Sequence, residues 1–138
     1  MSGKQMSAKD LAVKSFKNVE LTLREVINSN GPLREFANQE MPVLVGYKIG
    51  RVVKALDTVT ENFGNRRTAI LDRLGKLNAE TGSYEFENNN EKIAEDEITE
   101  ILKETVTVNV PMITLKELEG KQMPPRILAL LDWFIKED

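Results

Sequence analysis

The sequence predicts an α+β fold that is mostly α-helical, with a long helix, a shorter antiparallel helical partner, a C-terminal helix and a small two- to three-stranded sheet. Three patterns support this prediction. Apolar residues recur at helical spacing over Pro42–Leu74, and again over 91–104 and 126–136. Valines alternate with polar residues over 105–110, which is the strongest strand pattern in the chain. A shorter alternation over 19–23 predicts a second strand.

The helix over Pro42–Leu74 is the longest predicted element. Proline suits the first helical position because its missing N–H has no partner there. A helix of this length spans roughly 50 Å. Gly64 lies beside two asparagines and is a candidate kink or break. The apolar residues lie three, four or seven apart on one face, formed by Val45, Ile49, Val52, Leu56, Val59, Phe63, Ile70 and Leu74. One short partner cannot cover such a face, so either several later segments or another subunit must pack along it.

Two glycines four residues apart, Gly46 and Gly50, interrupt this helix. Each lowers helix stability by about 1 kcal/mol relative to alanine, and both allow another backbone to approach closely. One interpretation is tight packing within the chain, and the other is a close crossing between subunits. Three basic residues nearby exclude a membrane span. The second interpretation predicts a homo-oligomer interface formed by Val45, Gly46, Ile49, Gly50, Val52, Val53, Leu56, Val59 and Phe63.

The N-terminal part of the chain divides into an arm and the start of a domain. Residues 1–18 are small, polar and basic and are predicted to form an N-terminal arm, which leaves 19–138 as a single helical-hairpin domain with a small sheet. Thr22 precedes Glu25 by three residues, the spacing of a capping box, so a helix is expected to start there. We expect that helix to end near residue 28, because Asn30–Gly31–Pro32 is a turn signal, and a further helical turn or two to follow over 33–39.

The C-terminal half is predicted to continue with a hairpin, a helix, a strand and a last helix. A small hairpin over 80–84 would have Leu77, Tyr84 and Phe86 on its apolar side. The next helix would start at Asn88 and bury Ile93 or Ala94, Ile98, Ile101 and Leu102. Thr114 and Glu117 repeat the capping-box spacing of Thr22 and Glu25, which suggests that the two strand ends lie side by side in one sheet, with 113–115 as a third strand. The last helix, 126–136, would bury Ile127, Leu130, Leu131, Phe134 and Ile135, with Trp133 at an edge of the core.

Charge is distributed unevenly along the chain. Residues 42–77 carry seven basic and three acidic side chains, whereas 78–105 carry nine acidic side chains and two lysines. An antiparallel hairpin would place the acidic segment against the basic one, where ion pairs set orientation and register. The alternative is an anion site for phosphate or a phosphodiester, formed by Arg51, Lys54, Arg66, Arg67 and Arg73.

Composition excludes several classes of function. The chain has 138 residues and contains neither cysteine nor histidine, so disulfides, thiolate chemistry and the commonest general base and zinc ligand are absent. A net charge of −3 argues against a nucleic-acid-binding surface. Phosphate-binding glycine loops, nucleophile elbows and calcium loops are missing from the sequence. We therefore expect a soluble, non-enzymatic protein without a metal, a cofactor or a signal peptide.

Three short motifs carry a resemblance to known proteins. They are Met41–Pro42–Val43, Tyr47–Lys48–Ile49 and Leu118–Glu119–Gly120, the last lying before a C-terminal apolar helix. With these motifs, residues 19–136 resemble a family of small uncharacterised proteins of tailed bacteriophages and prophages. The resemblance implies a phage origin and brings no established active site. Residues 1–18 extend beyond the shared pattern.

Two functional hypotheses follow from these patterns. The first is a phage structural or assembly protein that forms homo-oligomers, contacts other phage or host proteins and uses its N-terminal arm on a neighbour. The second is an anti-defence or host-takeover protein that binds a host protein, or sequesters a nucleotide signal at a subunit interface through the candidate anion site. Both place the protein in the bacterial host cytoplasm, and the first also in the virion. An enzyme ranks last, because paired carboxylates are lacking as well as histidine and cysteine.

Overall fold

The computed structural model describes residues 15–121 and 123–136 and shows the predicted α+β, mostly α-helical fold. Two 3₁₀ turns, Lys116–Leu118 and Asp132–Phe134, accompany the regular elements. In chain order these elements are β1 (Phe16–Thr22), α1 (Leu23–Ala37), α2 (Val43–Leu74), β2 (Gly75–Leu77), β3 (Tyr84–Phe86), α3 (Asn90–Leu102), β4 (Thr105–Pro111), β5 (Ile113–Thr114), α4 (Pro125–Leu131) and β6 (Ile135–Lys136).

Helix α2 is one continuous helix of 32 residues, preceded by Pro42 at the N-cap. The predicted C-terminal bound is confirmed and the helix starts one residue later than predicted, but a break at Gly64 is wrong, since the helix runs through it. One glycine lowers helix stability by about 1 kcal/mol, which packing along the rest of the helix outweighs. The helix ends where Gly75 adopts an extended conformation and starts β2. A Cβ at Gly75 would lie 2.7 Å from the Phe86 ring, so this position requires glycine.

Helix α1 differs from the prediction because it is not interrupted. It runs from Leu23 to Ala37 through the expected turn, with Pro32 inside the helix. Leu33 and Phe36, beyond the proline, are buried in the same core as Val26 before it. The free energy of burying both turns outweighs the loss of one helical hydrogen bond at proline. The predicted capping box is confirmed: Glu25 N–H donates to Thr22 Oγ1 at 3.1 Å, and Thr22 N–H donates to Glu25 Oε1 at 2.9 Å.

Strands β1 and β4 form a two-stranded antiparallel ribbon in which Thr22 lies opposite Thr105 and Phe16 opposite Pro111. Because β1 starts at Phe16, the predicted arm is too long at its C-terminal end, and residues 1–14 lie outside the described chain. The strand predicted over 113–115 forms as β5, but its place in the same sheet is wrong, since β5 pairs in parallel with β6 in a separate sheet, with Thr114 opposite Lys136. Thr22 and Thr114 therefore share local capping chemistry without lying side by side.

The core lies between the ribbon, α1, the first half of α2 and the C-terminal segment. Leu131 and Phe134 are fully buried in it. The predicted last helix is too long, because α4 ends at Leu131 and Ile135 is extended and pairs with Ile113. Leu130 is 40% exposed rather than inward-facing, while half-buried Trp133 packs against the core as expected. The side chain of Ile127 lies outside the described part of the structure.

The second half of α2 projects beyond this core and pairs with α3, and the β2–β3 hairpin joins the two helices at their far end. The hairpin is confirmed, with Leu77 opposite Tyr84, although Leu77 is 53% exposed. Helix α3 buries Ala94 rather than Ile93, which is 42% exposed. Its N-cap is Asn89, one residue later than predicted, because Asn88 adopts a left-handed conformation with φ of 54°. We call residues 57–102 the α2–α3 arm.

Candidate protein-protein interface

Exposed ion pairs connect α2 to α3 and to the residues that follow α3. The Arg66 guanidinium donates two hydrogen bonds to Glu104, at 2.9 and 2.8 Å, and Arg73 pairs with Glu97 one heptad further along. This confirms the prediction that the acidic segment packs against the basic one. The hydrogen bond from Arg66 lowers the pKa of Glu104, against a smaller effect of burial, and the same hydrogen bond raises the pKa of Arg66.

These pairs contradict the anion site predicted from Arg51, Lys54, Arg66, Arg67 and Arg73. Two of the five side chains are occupied by carboxylates of the same chain. Arg51 and Arg66 are fifteen positions apart on a continuous helix, a separation of roughly 22 Å. The five therefore cannot converge on one phosphate. Arg51, Lys54 and Arg67 are exposed and have no carboxylate partner within the described residues.

The oligomer interface predicted along α2 also needs correction in its first half. Val45, Ile49, Val52 and Leu56 are each at most 3% exposed and pack against the ribbon, α1 and the C-terminal segment. The chain itself therefore covers this part of the apolar face, and Val53 packs partly against the same core.

Gly46 and Gly50 of α2 do not mark a close packing contact within the chain. A Cβ at Gly50 would meet nothing within 4 Å, and one at Gly46 would be 3.6 Å from the Met41 side chain, which is ordinary contact. The interpretation of tight intramolecular packing at these positions is therefore wrong.

The same apolar face continues beyond the core as a groove along the α2–α3 arm. The floor of this groove is a row of side chains spaced four, three and four residues apart on α2, namely Val59, Phe63, Arg66 and Ile70. Arg66 is exposed, and the three apolar side chains are half-buried. Two recesses meet at Arg66, one of about 310 Å³ towards β4 and one of about 410 Å³ towards α3. Asn62, Glu104 and Val106 line the first recess, and Asp96, Glu97 and Glu100 line the second. The groove has an apolar floor on α2 and an acidic wall on α3.

The far end of the arm is fixed by polar contacts. The Tyr84 hydroxyl of the hairpin donates a hydrogen bond to Asp72 on α2. This bond raises the pKa of Tyr84, and burial and the negative charge of Asp72 act in the same direction. Asn90 donates to the carbonyl of Leu74 at 2.9 Å and so ties the start of α3 to the end of α2. The groove thus lies between two helices that are joined by ion pairs and hydrogen bonds at several positions along their length.

A buried ion pair behind the core escaped the sequence analysis. Lys48 of α2 is 6% exposed, and its ammonium donates to both carboxylate oxygens of Glu117, at 3.0 and 3.1 Å. Glu117 also accepts the N–H of Thr114 at 2.9 Å and completes the second capping box. Burial raises the pKa of Glu117, but the bonds from Thr114 and Lys48 together outweigh it and leave the pKa below its ordinary value. The capping-box spacing was the only sequence signal for this cluster.

Comparisons with protein-family models, with curated proteins and with solved structures found no match to this chain. In the described part of the chain, no helix is long and apolar enough to cross a membrane. No group of three or more metal-ligating side chains converges within residues 15–121 and 123–136.

Proposed function

We propose that this protein is a non-enzymatic assembly protein of a tailed bacteriophage that acts by homo-oligomerisation and by contacts with other phage or host proteins. The groove on the α2–α3 arm carries the proposal. Elsewhere on α2 the apolar face is covered by the chain, whereas Val59, Phe63 and Ile70 are only partly covered in a groove at the surface. A projecting two-helix arm with such a groove is suited to helix-in-groove association. The phage assignment rests on the three short sequence motifs, and it places the protein in the host cytoplasm or the virion.

A matched pair of substitutions tests the interface. Asn62 is exposed and lines the groove, and Thr68 is exposed on the other side of the same helix, about 200° away from Arg66. Neither side chain is part of the core. We expect the wild-type protein to sediment as an oligomer at micromolar concentration and Asn62→Arg to weaken association at least tenfold, because the cation would have to be desolvated in the interface. Thr68→Arg should associate like the wild type.

Two results would refute the proposed interface. One is a wild-type protein that stays monomeric at all accessible concentrations in sedimentation velocity. The other is equal behaviour of the two arginine variants. Mass spectrometry of purified virions tests the phage role separately, and a protein that never copurifies with virions or their assembly intermediates would contradict it.

The second hypothesis, sequestration of a nucleotide signal, now depends on Arg51 and Lys54. Of the five predicted cations, Arg51, Lys54 and Arg67 have no ion-pair partner among the described residues. Arg51 and Lys54 are exposed and lie three residues apart on α2, whereas Arg67 lies further along the helix. Calorimetric titration with cyclic dinucleotides and ADP-ribose derivatives tests this role. Heat that disappears in the double variant Arg51→Ala/Lys54→Ala would favour it over assembly.

A further inference from the structure

We propose that the groove of the α2–α3 arm binds residues 1–14 of a second copy of this chain. The inference rests on the proposed function and names the segment that fills the interface. It depends on three observations: the chemistry of the groove, the composition of the segment and the place where the described chain begins.

The groove favours a basic segment with apolar side chains. Its floor presents Val59, Phe63 and Ile70, so a ligand must bring apolar groups to cover them. Helix α3, which forms the wall, carries five acidic residues and a single lysine within 90–102. Arg73, Lys92 and Lys103 pair with Glu97, Asp96 and Glu100, and among the described residues Glu91 and Glu95 of α3 keep an uncompensated negative charge. A cationic partner is therefore steered towards the groove by the field of α3.

Residues 1–14 have this composition. They contain three lysines, Lys4, Lys9 and Lys14, against one aspartate, which gives the side chains a net charge of +2. The apolar residues Met6, Leu11 and Val13 lie between and beside these lysines. The segment thus offers both apolar groups for the floor and cations for the acidic wall.

The position of Ser15 favours a second copy over the same chain. The Ser15 carbonyl accepts a hydrogen bond from Met112 at one end of the ribbon, whereas the groove lies by Glu104 at the other end, where Leu23 donates to the Glu104 carbonyl. Eight residues of extended strand separate these points, roughly 26 Å. Fourteen residues span at most about 50 Å. Binding to the groove of its own chain would therefore require the segment to reverse direction and use over half its length on the return.

The absence of natural cysteines allows a direct test by disulfide cross-linking of the full-length chain. One variant carries Ser7→Cys and the other Asn62→Cys in the groove, and the control replaces the groove cysteine by Thr68→Cys on the opposite side of α2. Mixing the first two, both reduced beforehand, with a mild thiol oxidant that accepts the two electrons should yield a cross-linked heterodimer at least tenfold faster than the control mixture under the same oxidant. The rate should fall several-fold between low salt and molar salt, since screening weakens the attraction between the lysines and α3. The triple variant Lys4→Glu/Lys9→Glu/Lys14→Glu in the Ser7→Cys chain should slow it to the control rate.

The possible outcomes separate a failure of this inference from a failure of the proposed function. Equal cross-linking at positions 62 and 68 would overturn the inference. A double variant Ser7→Cys/Asn62→Cys that forms only an intramolecular disulfide would overturn the assignment to a second copy. If the protein sediments as an oligomer that is weakened by Asn62→Arg but is insensitive to the three lysine substitutions, the proposed function stands and this inference fails. A strictly monomeric protein would defeat both.

Discussion

Replacing Lys48 with methionine tests whether the buried ion pair stabilises the fold. Methionine keeps most of the aliphatic volume, so the substitution removes the charge and the hydrogen bonds without opening a large cavity. It leaves the Glu117 carboxylate without the ammonium that donates to both of its oxygens. Removing one partner of a buried pair destabilises proteins by about 3–5 kcal/mol.

The structure places the expected loss at the lower end of this range. Glu117 would keep the N–H of Thr114, and its side chain is 20% exposed, so water can solvate part of the unpaired carboxylate. The expected loss in free energy of unfolding is therefore about 3 kcal/mol at neutral pH. Lys92→Met is the matched control, because Lys92 makes a solvent-exposed pair with Asp96 at 3.7 Å. An exposed pair of this spacing contributes about 0.3–0.5 kcal/mol.

The effect should depend on pH with a defined sign. The folded-state pKa of Glu117 lies below its ordinary value, so its stabilising contribution is present above the unfolded-state pKa of about 4.3. The contribution is lost as the pH falls through the folded-state pKa. The gap between wild type and Lys48→Met should therefore be full at neutral pH and shrink well below pH 4, as Glu117 becomes protonated in both proteins.

Urea unfolding followed by fluorescence measures these differences, since Trp133 is the only tryptophan and packs against Phe134 with ring centroids 4.9 Å apart. The reasoning would be refuted if Lys48→Met were no more destabilising than Lys92→Met at neutral pH. It would also be refuted if the loss were the same at neutral and acidic pH, because the pair would then contribute by packing alone.

Three further predictions concern single side chains. Gly50→Ala should raise the free energy of unfolding by about 0.5–1 kcal/mol, because the added methyl group meets open space. Gly75→Ala should lower the free energy of unfolding, because its methyl group would collide with the Phe86 ring. The opposite order of stabilities in urea unfolding would contradict this prediction. Thr60→Val should raise stability by about 1 kcal/mol, since Thr60 Oγ1 is buried with no hydrogen-bond partner among the described residues, and a clear loss would show that the hydroxyl is satisfied. Asp72→Ala removes the acceptor and its charge and should bring the raised pKa of Tyr84 down towards its ordinary value in an ultraviolet titration. An unchanged pKa of Tyr84 would exclude this hydrogen bond as its cause.

The elements that could be predicted from the sequence are those whose formation depends on residues close by in the sequence. Helix α2 follows from an apolar period that no proline interrupts, and the capping box at Thr22 needs only a residue three positions away. The break expected at Pro32 failed because Leu33 and Phe36 gain more from the core than the helix loses, and that gain depends on distant segments. For the same reason, nothing local shows that the last helix ends at Leu131, where the chain turns to pair with β5.

The candidate site was less predictable, because periodicity identifies an apolar face but not what covers it. Val52 and Phe63 lie on one face of α2 and read alike in the sequence, yet the first is in the core and the second lines the groove. From the sequence alone, Arg66 and Arg73 could equally bind an anion or pair with the acidic segment around α3, and the structure shows the second. A lysine in an amphipathic helix normally lies in solvent, so burial of Lys48 could be known only once Glu117 was placed beside it.

Thr22 and Thr105 face each other across the ribbon although the whole of α1, α2, the hairpin and α3 lies between them in the chain. This excursion leaves and rejoins the ribbon at one point. Bringing its ends together has an entropic cost that local helix formation does not carry, so the strands should pair late during folding and the helices early. Because the α2–α3 arm projects beyond the core, adding one heptad to α2 and one to α3 within the arm should lengthen it by roughly 10 Å while the ribbon and the core stay as they are. The reach of the arm can thus be changed without rebuilding the body that carries it.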